Sequence, residues 1–305
     1  VPPAPILLLV NPAAGGGRAA RRAHDAERAL RRLGPVRVEA SRAPGDEARI
    51  AAEAARDGAR AVAVLGGDGA VSHAARGLLS VGPAGRTVPL AILAAGTGND
   101  FARSLRLPVR DVGRTAALIG DGATRLIDAG TIDDEPFVNA AGFGFDADVL
   151  ARTLSPGIWQ GAARYAGTAL GQLFRYRGFR AAMSVAADDD GAPARDWLTI
   201  VFGNGQWFGG AFHIAPDARL DDGALDAIAI GDVGAATRVA LFAAALRGAH
   251  VSRAGVTVQR APAFTLRFDA PPRYQADGEL RRAADRVVRV GVLPRALRVV
   301  ACDDG

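Results

Sequence analysis

The sequence predicts two domains: an α/β domain on a parallel sheet, then a mainly antiparallel β domain that forms a sandwich or half-barrel. Two observations predict the first. Unbroken apolar runs at residues 6–10, 61–65 and 88–94 suit strands buried on both faces. Between them lie Ala- and Arg-rich segments of helical length, so strands and helices alternate. A third observation predicts the second domain: from Arg125 onward, short strand-like runs follow one another with turn residues between them. A length of 305 residues suits two domains, and 49% hydrophobic residues suffice for sizeable cores.

Residues 6–10 read as the first strand, ended by Asn11-Pro12, and the turn to Arg18 carries Gly15, Gly16 and Gly17. Residues 19–33 read as a helix stopped by Gly34-Pro35. Residues 36–40 alternate as a second strand, 41–45 turn, and 46–56 form a second helix. The third strand, 61–65, runs into Gly66-Gly67-Asp68-Gly69-Ala70-Val71-Ser72-His73, a tight turn and the start of a helix reaching Leu79. The fourth, 88–94, runs into Gly96-Thr97-Gly98-Asn99-Asp100, where Asn99 or Asp100 can cap a helix. Three glycine-bearing turns thus sit at the C-terminal ends of strands, where open α/β sheets bind ligands. Glycines let backbone N–H groups approach an anion, and a following helix N-terminus adds attraction. No Gly-Lys-Ser/Thr follows, so this is not a P-loop. On this stretch alone, a phosphate site and an ordinary βα turn both stand.

In the second half, 125–132 and 136–141 read as strands joined by an Asp133-Asp134-Glu135 hairpin turn. Residues 159–176 read as a helix turning Tyr165, Leu170, Leu173 and Phe174 toward something apolar. Strands follow at 179–187, 197–203, 211–215, 225–230, 255–260, 264–269, 286–290 and 296–301, with an acidic loop over 187–193. Asp277-Gly278 is itself a hairpin turn signal.

Composition removes several function classes. Cys302 is the sole cysteine, which excludes an intramolecular disulfide and a cysteine-based zinc site. Histidine aside, all 37 basic residues are arginines, and the net charge is +5. A phosphate clamp therefore falls to arginine, backbone N–H groups or a metal ion. The basic balance suits nucleic acid, anionic lipid or nucleotide phosphates, and equally a solvated face; no nucleic-acid motif accompanies it, so nucleic acid is not expected. No apolar run approaches the roughly 20 residues of a spanning helix. Pro2, Pro3 and Pro5 interrupt the opening run and no signal-peptide pattern is present, so a cytoplasmic location is expected.

Taken in order, several motifs resemble those of the diacylglycerol kinase and sphingosine kinase superfamily, in its bacterial soluble lipid kinase branch. They are Val10-Asn11-Pro12 with its glycine turn, Gly66-Gly67-Asp68-Gly69, and Gly96-Thr97-Gly98-Asn99-Asp100-Phe101-Ala102-Arg103. Asn139-Ala140-Ala141-Gly142-Phe143-Gly144-Phe145-Asp146, Gly203-Asn204-Gly205, the Ala215 to Asp226 loop and Asp277-Gly278-Glu279 continue the series. The resemblance implies an α/β nucleotide-binding domain like that of NAD kinases and phosphofructokinases over 1–126. It implies a β-sandwich substrate and metal domain over 127–290, a segment 291–305 returning to the first domain, and ATP in the cleft between the domains. The activity implied is ATP-dependent phosphorylation of a lipid alcohol such as diacylglycerol, with peripheral contact at the inner membrane face and an open oligomeric state, a homodimer included.

The resemblance also assigns roles. Asn11, Ser41, Gly66, Gly67, Asp68, Gly69, Ala70, Val71, Ser72, Gly96, Thr97, Gly98 and Asn99 would bind nucleotide, Asp68 orienting MgATP. Asp277 would be the general base. The Asp222 carboxylate and the backbone carbonyls of Arg219 and Ala224 would hold a structural Mg²⁺, with a solvated acidic turn as the alternative. Phe143, Phe145, Trp159, Tyr165, Phe174, Trp207, Phe208 and Phe212 could line an apolar cleft near Asp277 or serve as core. The chain departs from the family where threonine is usual at Ala70, asparagine-glutamate at Ser72-His73 and serine at Ala14. These departures keep two alternatives in play: a kinase of the same fold acting on a soluble or specialised-metabolite alcohol, and a nucleotide-binding sensor or pseudokinase. His73 reads as a surface helix residue or a substrate contact.

Overall fold

A computed structural model describes residues 3–109, 111–153, 168, 171–185 and 192–302. Trp159, Tyr165, Leu170 and most of the expected 159–176 helix and acidic loop lie outside the described residues; residues 171–175 are helical. The chain divides into two compact units, Val1–Asp128 with Pro294–Gly305, and Ala129–Leu293.

The first unit runs β1 (Ile6–Val10), α1 (Ala14–Arg31), β2 (Val36–Ala40), α2 (Asp46–Arg56), β3 (Ala61–Gly66), α3 (Asp68–Ser80), α4 (Pro83–Thr87), β4 (Leu90–Ala94), α5 (Asp100–Ser104) and α6 (Val112–Gly120). β1 pairs in parallel with β2 and β3, and β3 with β4. Every residue of β1, β3 and β4 is buried, as the unbroken apolar runs require. The tail belongs to this unit: Val299 pairs in parallel with Leu90, Arg295 N donates to Asp128 Oδ1 at 2.7 Å, and Ala301 N donates to Ala123 O at 3.1 Å. Leu8, Leu30, Leu65, Leu93, Ile119 and Val300 share one core. α1 opens with a left-handed stretch at Gly15, Gly16 and Gly17 (φ +61°, +65° and +82°), so its regular helix follows the turn, as the sequence predicts.

β5 (Thr124–Ile132) leads into the second unit. There follow β6 (Glu135–Phe137), β7 (Ala140–Gly144), α7 (Phe145–Thr153), β8 (Phe179–Val185), β9 (Arg195–Gly203), β10 (Trp207–Phe208), β11 (Phe212–His213), β12 (Leu225–Gly231), α8 (Ala235–Ala245), β13 (Val256–Ala261), β14 (Ala263–Phe268), β15 (Arg273–Ala276), β16 (Glu279–Arg282) and β17 (Val287–Val300). The pairings are antiparallel along β16-β15-β7-β9-β8-β14-β17; β9 also pairs with β12, and β12 with β13. Phe143, Phe202, Phe264 and Tyr274 pack the main core. The mainly antiparallel expectation holds, and so does the Asp133-Asp134 hairpin, where Ile132 pairs with Glu135.

Several boundaries differ. The expected 136–141 strand breaks at Val138-Asn139, whose N–H groups bond elsewhere, as described below. The two last strands are one, β17: it pairs with β14 up to Gly291, with β4 at Val299, and also with β5. α8 was hidden because its exposed positions are Ala, Thr and Val, so no strongly polar face marks a helical period.

Asp146, at the start of α7, is fully buried, and burial pushes its carboxyl up to about 6 despite bonds from Thr199 and Gln275. Thr199 Oγ1 lies 3.1 Å from both Phe143 O and Asp146 Oδ1, and a hydroxyl has one proton to give. A protonated Asp146 resolves this by donating to Thr199. Since the folded carboxyl binds its proton more tightly than the unfolded one, stability falls as pH rises through the window from about 4 to about 6, by roughly 3 kcal/mol in total. Asp146→Asn should flatten that slope in urea unfolding measured across the window, and a slope unchanged by the substitution would refute the assignment.

Candidate active site

Three turns of the first unit meet backbone to backbone. A Cβ on Gly96 would stand 2.5 Å from Gly67 Cα, and one on Gly15 2.1 Å from Ala95 O. Ala95 N donates to Gly66 O at 2.8 Å, and Asn11 N donates to Leu65 O at 3.0 Å. Arg18 Nη2 donates to Gly96 O at 2.8 Å, which seats a guanidinium on the Gly96 turn. Asn99 closes that turn, accepting Gly96 N at Oδ1 (3.0 Å) from a left-handed backbone position.

Asp68 joins two of these turns. Its Oδ2 accepts Asn99 N at 2.7 Å and its Oδ1 accepts Phe101 N at 3.3 Å, so it holds the start of α5. α3 has no side-chain N-cap: Gly67 occupies that position. The N–H groups of Asp68, Gly69 and Ala70 have no carbonyl within the helix, and the positive end of its dipole lies there. Val71 N already donates to Gly67 O at 3.1 Å. Ala70, Val71 and Ser72 have buried side chains, while Gly69 and Thr97 are exposed. Donors converge here that could hold an anion, the arrangement of phosphate sites at helix N-termini.

Sequence reasoning missed Glu47, in the first turn of α2, where an acid looks like an ordinary partner of the helix dipole. It is 1% exposed. Asn11 Nδ2 donates to its Oε1 at 3.0 Å, and His73 Nδ1 lies 3.3 Å from its Oε2. Burial pushes the Glu47 carboxyl up, but bonds from His73, its own backbone and Ser41 outweigh that and hold it below the usual range. His73 is therefore a partner of Glu47 rather than a solvated surface residue.

In the second unit, Asp277 sits in the β15–β16 turn at φ +49°. Its carboxylate accepts Val138 N (2.9 Å), Asn139 N (2.9 Å) and Ala140 N (3.2 Å), and its own N donates to Ala140 O at 2.9 Å. That bonding breaks the strand before β7. Glu279, on the same hairpin, pairs with Arg281 at 3.0 Å. Among the described residues the expected aromatics do not share one cleft. Phe143 lines a cavity of about 390 Å³ with Phe179, Phe268 and Arg273, at the ends of β7 and β15 away from Asp277. Phe145, Phe208 and Phe212 line a separate one of about 70 Å³. Trp207 stacks on His213, and Phe174 is 62% exposed.

Arg219, Asp222 and Ala224 share one loop. Asp222 Oδ1 accepts Ala224 N at 3.1 Å, and Arg260 stands 3.9 Å from Oδ2 while clasping Asp226. Among the described residues no group of three or more acids, histidines or cysteines could hold a metal. The loop offers one carboxylate, Asp222, with the Arg260 guanidinium beside it.

With this geometry in view, the comparisons decide the family. Residues 5–132 match the diacylglycerol kinase catalytic domain, and residues 139–301 match the YegS C-terminal NAD kinase beta sandwich-like domain. A diacylglycerol kinase of Mycobacterium tuberculosis (strain ATCC 25618 / H37Rv) is 33% identical over 97% of this chain and 94% of its own. The chain belongs to the diacylglycerol kinase family. It is thereby a phosphotransferase of the kinase type. A "Probable lipid kinase YegS-like" protein of Pseudomonas aeruginosa (strain UCBPP-PA14) is 34% identical over 72% of this chain and 70% of its own. The crystal structure of a diacylglycerol kinase from Bacillus anthracis str. Sterne shares the fold, with a TM-score of 0.73 at 19% identity over 98% of this chain and 97% of that one.

Backbone contact between Gly67 and Gly96 has a direct test in this family member. Gly96→Ala should lower stability by about 1–3 kcal/mol, the usual cost of forcing atoms into a packed site. Gly69→Ala, whose Cβ would meet nothing within 4 Å in a helical position, should be neutral or gain about 0.5–1 kcal/mol. Chemical denaturation of both variants checks the contrast, and equal effects would contradict it.

Proposed function

We propose that the chain transfers the terminal phosphoryl group of MgATP to a hydroxyl of a lipid alcohol such as diacylglycerol. One observation carries the nucleotide half of this reading: the uncapped N-terminus of α3 faces a glycine turn that Asp68 holds against it. In this reading the N–H groups of Asp68, Gly69 and Ala70 take phosphate oxygens. Gly66, Gly67, Gly96, Thr97, Gly98 and Asn99 shape the cradle, and Asn11 and Ser41 flank it. Arg18 supplies the cation that a lysine supplies elsewhere, since the chain has no lysine. Phosphoryl transfer needs little beyond this positioning and charge stabilisation. Magnesium bound to the phosphates would neutralise developing charge, and Asp68 would orient it directly or through water. A second Mg²⁺ at Arg219, Asp222 and Ala224 would be structural.

The resemblance assigns proton acceptance to Asp277. Its carboxylate already accepts three backbone N–H bonds, which suits holding the turn and leaves fewer lone pairs for a substrate proton. Glu279, ion-paired to a side chain instead, is the better-suited base on the same hairpin. The names of the relatives support a lipid acceptor, which would bring the protein to a membrane surface. No described helix is long and apolar enough to cross one. Ala70 and His73 depart from the family pattern in the segment beside the glycine turn, and a soluble alcohol is the alternative acceptor.

Labelled ATP offered with dioleoylglycerol micelles and with soluble alcohols separates these readings. Label should enter the lipid; label in soluble alcohols alone would sink the lipid acceptor, and retained ATP binding without transfer would favour a sensor. Glu279→Gln should lower turnover about a hundredfold with unchanged melting. Asp277→Asn should lower stability by about 1–3 kcal/mol through unmet backbone donors. A turnover loss in Asp277→Asn without loss of stability would return the base to Asp277.

A further inference from the structure

Glu47 is almost fully buried, and a buried carboxylate is costly unless partners satisfy it. The neighbouring Asp46 already supplies the negative charge that the start of α2 favours, bonding Arg42 N at 3.1 Å and Arg49. Glu47 therefore has another reason to be there. Its partners come from three separate elements: Asn11 after β1, Ser41 after β2, and His73 on α3. Two of these, Asn11 and Ser41, are residues that the sequence places at the nucleotide.

The contact with Asn11 sets more than one bond. Because Nδ2 faces Glu47, Asn11 Oδ1 faces the other way and accepts Ala13 N at 3.2 Å, while Asn11 O accepts Ala14 N at 3.1 Å. The first turn of the glycine loop is built on those two bonds. Beyond it, Gly15 abuts Ala95 and Arg18 holds Gly96 O. Without an acceptor at Glu47 the Asn11 side chain keeps only its bond from Ala13 N within the loop, and the loop loses its tie to α2. His73 fixes the other oxygen; a second carboxylate at position 73 would stand against Glu47 in a buried site. The histidine that departs from the family pattern and the buried acid thus form one unit.

We propose that Glu47 is a positioning residue for nucleotide binding, setting Asn11, Ser41 and through them the glycine loop from outside the cradle. This rests on the nucleotide reading given above. The test is calorimetric binding of a non-hydrolysable ATP analogue with Mg²⁺ to the full chain, beside melting curves and steady-state kinetics. Glu47→Gln keeps an acceptor for Asn11 and should bind within about threefold of the unaltered protein, whereas Glu47→Asp withdraws the carboxylate by one methylene and should bind about tenfold more weakly. Glu47→Asp should raise KM for ATP and leave KM for the acceptor unchanged, a split that general loss of folding does not produce. Unchanged affinity in Glu47→Asp, while the unaltered protein binds, overturns this inference and leaves the nucleotide reading intact. No binding by the unaltered protein overturns the nucleotide reading, and this inference with it.

Discussion

Gly67 and Gly96 meet through their backbones with no room for a side chain between them, and the candidate site depends on that approach. It is possible because β3 and β4 are parallel neighbours that end together, Gly66 opposite Ala94. Parallel strands deliver their following turns to the same edge of the sheet. Asp68 then converts proximity into a fixed distance by accepting N–H groups from the far turn. A carboxylate so engaged with the far turn leaves Gly67 at the N-cap of α3, which brings no side chain to the first N–H groups of that helix.

The same economy recurs in the second unit. Asp277 accepts three consecutive N–H groups that a broken strand would leave without partners. Two carboxylates, one per unit, thus act first on backbone. This explains how acids in conspicuous glycine turns can hold geometry even where a reaction also uses their surroundings. Asp146 shows the opposite regime: complete burial outweighs the bonds offered to it, and its carboxyl is driven toward the neutral form.

Much of the fold was legible. Fully apolar strands such as Leu7-Leu8-Leu9 can only be buried on both faces, so the α/β class followed from periodicity. The antiparallel half followed from short runs and turn residues such as Asp133-Asp134. What escaped was whatever lacks a local period. α8 shows no polar face, β15 and β16 are four residues each, and β17 runs through Pro294, where a strand end is expected. At the site, the glycine turns were legible from composition because close backbone approach demands glycine. Glu47 was not, because an acid in the first turn of a helix is ordinary until its burial is known.

The sequence by itself determined the fold class, the order of the motifs and the absence of a lysine clamp, since periodicity, spacing and residue type are local properties. Only the tertiary structure decided which groups answer one another: Glu47 with Asn11 and His73, Asp68 with the start of α5, Asp277 with the strand before β7. Those pairs are separated by 26 to 139 residues. Hydrogen bonds depend on distances of a few ångströms, and such distances between remote residues exist only once the strands have paired.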